Sequence, residues 1–256
     1  MPALKLGAQL YTVRQYTQTE KDFAETMEKI AKIGYKYLQV SGIGSSITPD
    51  FIKKVTEDNG LKVILTHTSP ERIMKETEKV IEDHNIYNCD GIGVGGIFGV
   101  ERSEDGYKKF IENFAPAIEK IKKSGKVFLY HNHNFEFEKY GNKTGIDILL
   151  ENSDQDGFKL TFDTYWAYFA GFDPVEFIKR YNSRIFVTHL KDMAIIDDKK
   201  VMTEVCTGIM DFNKILEVSK NNNIIWHFVE QDEVRMNAVD SMKISFDNLM
   251  ATGKFE

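Results

Sequence analysis

The stretch FKLTFDTYWAYFAGFDPVEFIKRYNSRIFVTHLK, residues 158–191, holds two short apolar runs that each end on polar residues, with a longer segment between them. FKLTFDT (158–164) and IFVTHLK (185–191) read as strands, being short, rich in β-branched and aromatic residues, and bounded by turn formers. Asp173-Pro174 marks a helix start, with proline at the first helical position. Strand, helix and strand within about 30 residues make a βαβ unit, the usual way to join parallel neighbours. Outward from this unit the rhythm repeats. KLGAQLYTV (5–13), YLQVSG (37–42), KVILTHT (62–68), GIGVGG (91–96), KVFLYHN (126–132) and IIWHFVE (224–230) are further strands. TEKDFAETMEKIAKIG (19–34), SPERIMKETEKVIEDH (69–84) and EDGYKKFIENFAPAIEKIKKSG (104–125) carry apolar residues at helical spacing. About eight such units predict an α/β fold of the (β/α)8, or TIM, barrel type. An open doubly wound sheet would use the same alternation, but no glycine-rich phosphate turn follows the first strand, and GIGVGG reads as a strand itself. No linker or composition break divides the chain, so residues 1–256 are expected to form a single domain.

The chain has 256 residues, 42% of them hydrophobic, which is ample for a core of that size. Lys and Arg number 33 against 39 Asp and Glu, a formal net charge of −6. That balance gives no general attraction for a polyanion, and no basic run suggests nucleic-acid binding. The start, MPALKLGAQLYTVRQ, lacks the long apolar segment of a signal peptide, and no later segment is expected to span a bilayer. Cys89 and Cys206 lie far apart with no CxxC spacing, which fits a reducing, cytoplasmic setting.

In a parallel barrel the active site lies at the C-terminal ends of the strands. Those ends carry Gln9 and Tyr11, Gln39, His67, His131 with His133, Asp163, His189 and Glu230. In FLYHNHNFEF (128–137), strand alternation turns His131 and His133 one way and Tyr130 and Asn132 the other. Singly, each has an ordinary reading: Asp163 as a helix cap, His189 as a core histidine, Glu230 as an ion-pair partner of Lys191. Together, His131, Asp163, His189 and Glu230 come from successive strands and should converge. Burying such groups unpaired costs several kcal/mol. A divalent cation removes that cost, and a set of two imidazoles and two carboxylates suits Mn, Zn, Co or Fe(II) better than Mg.

LGAQLYTVR, LTFDTYWAYFAGFDPVEFIKRY, RIFVTHLKDM and HFVEQDE, in that order, resemble the strand-end motifs of the sugar phosphate isomerase/epimerase family. These are the xylose isomerase-like barrels, which also include relatives of endonuclease IV. The resemblance implies that Asp163, His189 and Glu230 are metal ligands. In family epimerases the fourth ligand is a glutamate on the fifth strand; here His131 aligns with it, and the next carboxylate is Glu136. The two positions differ by an odd number of residues, so Glu136 could serve only if the strand bulges or ends first. Trp166 stands where relatives often carry a substrate-binding histidine, and it is expected to wall the sugar site with Tyr165 and Tyr168.

The implied activity is metal-dependent isomerisation or epimerisation of a sugar, sugar phosphate or polyol-derived ketone. It would proceed by proton abstraction next to a metal-chelated carbonyl, through an enediolate. Glu230 is the expected base, with His133 or Glu136 as second proton carrier. Gln9, Tyr11, His67, Trp166 and Lys191 are expected to bind substrate. The alternative is a lyase or dehydratase of a keto-sugar or keto-inositol on the same site; a non-catalytic sugar-binding barrel and a DNA-repair nuclease rank lower. A small carbohydrate is the expected partner, without nucleic acid or membrane, and a homo-oligomer is allowed.

Overall fold

The computed structural model describes residues 3–256. Eight parallel strands close a barrel: β1 (Lys5–Gln9), β2 (Tyr37–Val40), β3 (Lys62–His67), β4 (Gly91–Val94), β5 (Val127–His131), β6 (Phe158–Asp163), β7 (Ile185–Leu190) and β8 (Trp226–Val229). Neighbours follow chain order, and β1 pairs with β8 to complete the ring. All eight runs read as strands are strands. The first is shorter than expected: β1 stops at Gln9, and Leu10–Tyr16 form a 3-10 turn. Gln9 Oε1 accepts a hydrogen bond from Tyr11 N, and Leu10 and Val13 are both fully buried, so helical spacing packs them where extension would separate them.

The helices also follow the periodic segments. Glu20–Ile33 (α1) is capped by Thr19 and Glu104–Lys123 by Ser103, each side chain accepting from a first-turn amide. The segment expected as one helix over 69–84 is two, Pro70–Lys75 and Thr77–Ile86, broken at Glu76 (φ −129°, ψ 38°). Two hairpins had no expectation in the sequence. Lys139–Tyr140 pairs with Lys143–Thr144, and Asp192–Ile196 pairs with Lys199–Thr203. The second turns on Asp197 and Asp198, both at positive φ (50° and 60°), the left-handed pair that tight hairpin turns require.

Inside the barrel, Leu65, Leu129, Val187 and Phe228 pack together as a core separate from the larger one between sheet and helices. Each lies two residues before a polar strand end, at His67, His131, His189 and Glu230, so alternation carries that inward direction up to the mouth. Phe228 fits because Gly7 faces it: a Cβ on residue 7 would lie 2.3 Å from the Phe228 ring. The apolar layer is thus a floor on which the polar groups stand.

Candidate metal centre and cleft

His131 ends β5, Asp163 ends β6, His189 is the penultimate residue of β7, and Glu230 directly follows β8. Register brings them together. His131 pairs with Thr161, two residues below Asp163; Asp163 pairs with His189; and His189 pairs with Phe228, two residues below Glu230. All four therefore share the inward face, and one ligand atom from each lies within 4.8 Å of those of the others. Asn132, pointing the other way, fixes the neighbouring backbone: its Oδ1 accepts from Asp163 N at 2.9 Å and its Nδ2 donates to Asp163 O at 3.3 Å.

Asp163 divides its two oxygens. Oδ1 accepts from Trp166 N at 3.0 Å and caps the short helix Thr164–Phe169, while Oδ2 lies 3.1 Å from His131 Nε2 and 3.8 Å from His189 Nδ1. Glu230 Oε2 is 2.9 Å from His189 Nδ1 and 4.0 Å from His131 Nε2. The ordinary readings thus coexist with the convergence: Asp163 is a cap, and Glu230 does pair with Lys191. Lys191 is fully buried. Its Nζ lies 2.8 Å from Asp163 Oδ2, 2.7 Å from Glu230 Oε2 and 2.6 Å from Asp232 Oδ2.

The remote ring nitrogens decide how the histidines face the carboxylates. His189 Nε2–H donates to Gln39 Oε1 at 2.6 Å, and His131 Nδ1–H donates to the Gly95 carbonyl at 3.3 Å. The other nitrogens, His189 Nδ1 and His131 Nε2, are thereby turned into the cluster toward the Glu230 and Asp163 carboxylates, where each offers a lone pair once its proton is gone. His189 Nδ1 is buried, with Glu230 Oε2 at 2.9 Å but poorly aligned for a hydrogen bond. Imidazoles fixed at the far nitrogen and turned at the near one toward two carboxylates fit a divalent ion, which would take the place of the protons between them.

Burial penalises the charged form of every group here, and partners decide the outcome. Burial would raise Asp163 and Glu230, yet the Lys191 ammonium, helped by the histidines, holds both well below the usual carboxylate range. Burial opposes charge on Lys191 too, but three carboxylates keep it firmly protonated. His189 is held up at about 9, burial being outweighed by Glu230 and Asp163. Burial drives His133 down to about 3 and His67 well below its ordinary value.

A cavity of about 500 Å³ opens above the cluster. Of the residues expected there, Tyr11, His67, His131, His133 and Glu230 line it. The His133 ring stacks on Phe135 at 5.2 Å and lies 4.7 Å from His131. Gln9, Trp166 and Lys191 do not line the cavity. Gln9 is fully buried; Trp166 sits behind the site, 5.8 Å from His133 and 5.6 Å from Lys191 Nζ. Glu136 is not brought to the cluster. The strand ends at His131, Phe135–Phe137 form a 3-10 turn, and Glu136 accepts from Tyr130 OH at 2.5 Å and from His133 N at 2.8 Å. Tyr130 points away from the barrel interior, so Glu136 locks the loop from outside.

Gln39 was placed at a strand end by the sequence but without a role, and two contributors were not foreseen as site residues: Asp232 and Arg102, whose guanidinium lies 3.5 Å over the Phe135 ring. Asp232 follows Glu230 by two residues, as Lys191 follows His189, so alternation would have placed both inward. Arg102 comes from a loop, which has no such periodicity. Size alone does not mark the site. A larger hollow, about 780 Å³, lies beside the second hairpin, but there Lys179 pairs with Glu176 and Lys214 with Asp211.

Comparison with known proteins agrees with this architecture. Residues 27–232 match the model of the xylose isomerase-like TIM barrel. The chain belongs to that family. Among solved structures, a sugar phosphate isomerase/epimerase of Parabacteroides distasonis is 27% identical, with all of this chain and 96% of that one covered at a TM-score of 0.81. A probable 3-DHS dehydratase of Bacillus anthracis involved in petrobactin synthesis shares the barrel at 14% identity, 96% and 99% coverage and a TM-score of 0.75, a likeness of fold alone. An inosose dehydratase of Geobacillus kaustophilus is 31% identical over 87 residues, 34% of this chain and only 28% of that protein. The family barrel in this chain thus carries a polar cluster at the mouth, with isomerases, epimerases and dehydratases among its relatives.

Proposed function

We propose that this xylose isomerase-like barrel is a metal-dependent isomerase of a sugar, sugar phosphate or related hydroxy-carbonyl compound. One observation carries the reading: His131 and His189, held at their far nitrogens, turn their near nitrogens onto Asp163 and Glu230, so that four ligand atoms converge at the floor of a cleft. A divalent ion held by these four residues would act as a Lewis acid on a carbonyl and its neighbouring hydroxyl. Glu230 is ionised and lines the cleft, so it is the base that takes the proton from the carbon between them. His67 and His133, kept neutral by burial, hydrogen-bond hydroxyls without adding charge. Arg102 lines the cleft with its guanidinium over the Phe135 ring, a position that suits a phosphate or carboxylate on the substrate.

Isomerisation ranks ahead of epimerisation on geometry. Moving a proton between adjacent carbons needs one base, whereas inversion needs a second proton carrier on the opposite face. The carboxylates lining the cleft, Glu230 and Asp232, both follow β8, and Glu136 does not reach it. Dehydration is the second reading, favoured by the local match to inosose dehydratase. Asp232, whose carboxyl burial raises, would be the acid that protonates a leaving hydroxyl. No helix among the described residues is long and apolar enough to cross a membrane, and the free thiols Cys89 and Cys206 suit a reducing cytoplasm.

The test begins with metal content in protein purified without added metal. Ketoses, sugar phosphates and keto-inositols are then screened in deuterium oxide. Deuterium beside the carbonyl at unchanged skeleton supports isomerisation; a new unsaturated-carbonyl absorbance supports dehydration. Metal-free protein showing no exchange with any compound after metal addition refutes both.

A further inference from the structure

Lys191 is an unusual neighbour for a metal centre. Its ammonium is fully buried and touches one oxygen each of Asp163 and Glu230, the very atoms, Oδ2 and Oε2, that face the two histidines. A divalent ion bound by the four side chains would need those oxygens. Two cations cannot share them at contact distance without strong repulsion. A third carboxylate stands ready on the far side of the ammonium: Asp232 Oδ2, at 2.6 Å. Asp232 is less enclosed than the others, its side chain keeping 24% exposure where Asp163 has none. Three carboxylates against the Lys191 ammonium and the protonated His189 ring leave one negative charge, and a divalent ion that displaces the His189 proton brings the cluster to neutrality.

We propose that Lys191 is a displaceable counter-cation of the metal centre, holding the Asp163–Glu230 pair until a divalent ion takes their oxygens and then resting on Asp232. The proposal rests on the metal-site reading above, and it makes Lys191 and Asp232 positioning residues for the ion. Lysine suits the part because its ammonium is a compact charge on a flexible stem, able to move without leaving the pocket.

The experiment is a chelator-competition titration of Mn²⁺ and Zn²⁺ into the full chain and its variants, with thermal unfolding of the chelator-treated proteins alongside. Lys191→Met should bind metal ~10–100-fold more tightly, the range seen when groups around a metal's ligands are changed. Its chelated form should melt below wild type and regain more on metal addition. Lys191→Gln, which keeps a polar head in the pocket, should show the same tightening if the methionine variant folds poorly. Asp232→Asn should weaken binding, because the ammonium loses its resting place. In the Lys191→Met background Asp232→Asn should have little further effect, and that non-additivity separates displacement from a simple field of charge. Unchanged or weaker binding by natively folded Lys191→Met and Lys191→Gln overturns the proposal and leaves the metal site standing. Equal losses from Asp232→Asn in both backgrounds also overturn it. Binding by the lysine variants but not by wild type would show a permanent internal cation, overturning displacement and metal dependence together; binding by none of them overturns the metal site itself.

Discussion

Glu136→Gln tests whether the carboxylate after β5 belongs to the chemistry or to the scaffold. Glu136 is fully buried, and burial raises its carboxyl from 4.5 to about 7 although Tyr130 OH and His133 N both donate to it. A group whose folded value lies above its unfolded one holds its proton more tightly in the native state. Its contribution is complete below pH 4.5 and is lost as pH rises through about 7. At 1.36 kcal/mol per unit, the displacement corresponds to about 3 kcal/mol of native-state stability lost across that window. Glutamine keeps the shape, accepts from His133 N and cannot ionise. Urea unfolding of both proteins in chelator at pH 4.5 and pH 8 should therefore show wild type losing more stability with rising pH than the variant, by a difference of up to about 3 kcal/mol. Metal affinity should be unchanged, since Glu136 stands outside the cluster. Parallel pH dependence in the two proteins, or loss of metal binding in Glu136→Gln, would refute the placement of this carboxylate.

The ligand set has a direct test in His131→Ala, which should weaken metal binding by at least ~10–100-fold while circular dichroism stays native; normal binding would remove His131 from the set. The triple variant Asp163→Asn, His189→Gln, Glu230→Gln should bind no metal in equilibrium dialysis, and stoichiometric retention would sink the site. Gln39→Met removes the acceptor that holds the His189 ring, and a ~10–100-fold loss of metal affinity is expected from such partners; an unaltered titration would show that Gln39 orients nothing. Gly96→Ala combines a φ of +147° with a Cβ only 3.2 Å from the His133 ring, so about 1–3 kcal/mol of strain should appear in urea midpoints. An unshifted midpoint there would mean the cleft wall yields freely.

Alternation and register explain what could be read in the sequence. A parallel strand buried on both sides announces itself as a short apolar run, and the helices between announce themselves by spacing, so the barrel followed from 158–191 outward. The four clustered residues were legible for the same reason: each ends a run, and the inward-facing residue two places below it, Leu129, Thr161, Val187 or Phe228, fixes which way it points. Legibility fails once the backbone leaves the strand. Glu136 lies beyond the end of β5, where a 3-10 turn resets direction, and the residue expected at the site is instead bound to Tyr130. Lys191 was within reach of the rule and its pairing with Glu230 was legible, but the expected substrate contact gave way to burial among three carboxylates that only the fold locates. The hairpin at 192–203 was missed because its turn uses Asp197-Asp198 rather than glycine at positive φ.

His131, which the resemblance sets against a fifth-strand glutamate, bears on chemistry more than on metal capture. A neutral imidazole can still ligate, and its Nδ1–H to Gly95 holds the ring for that purpose. What it cannot do is serve as an anionic base on its own side of the cleft. The ionised carboxylates are thereby gathered at the ends of β6 and β8, with Lys191 between Asp163, Glu230 and Asp232. Opposite them stand His67 and His133, both held neutral by burial. A cleft with charge on one wall and neutral imidazoles on the other favours chemistry in which a proton leaves and returns on one face, or leaves while a hydroxyl departs. Inversion at carbon would require a base on one face and a proton donor on the other. A deuterium label found on only one face of the product carbon is therefore the outcome this arrangement demands, and scrambling over both faces would show that a second base works from the histidine wall.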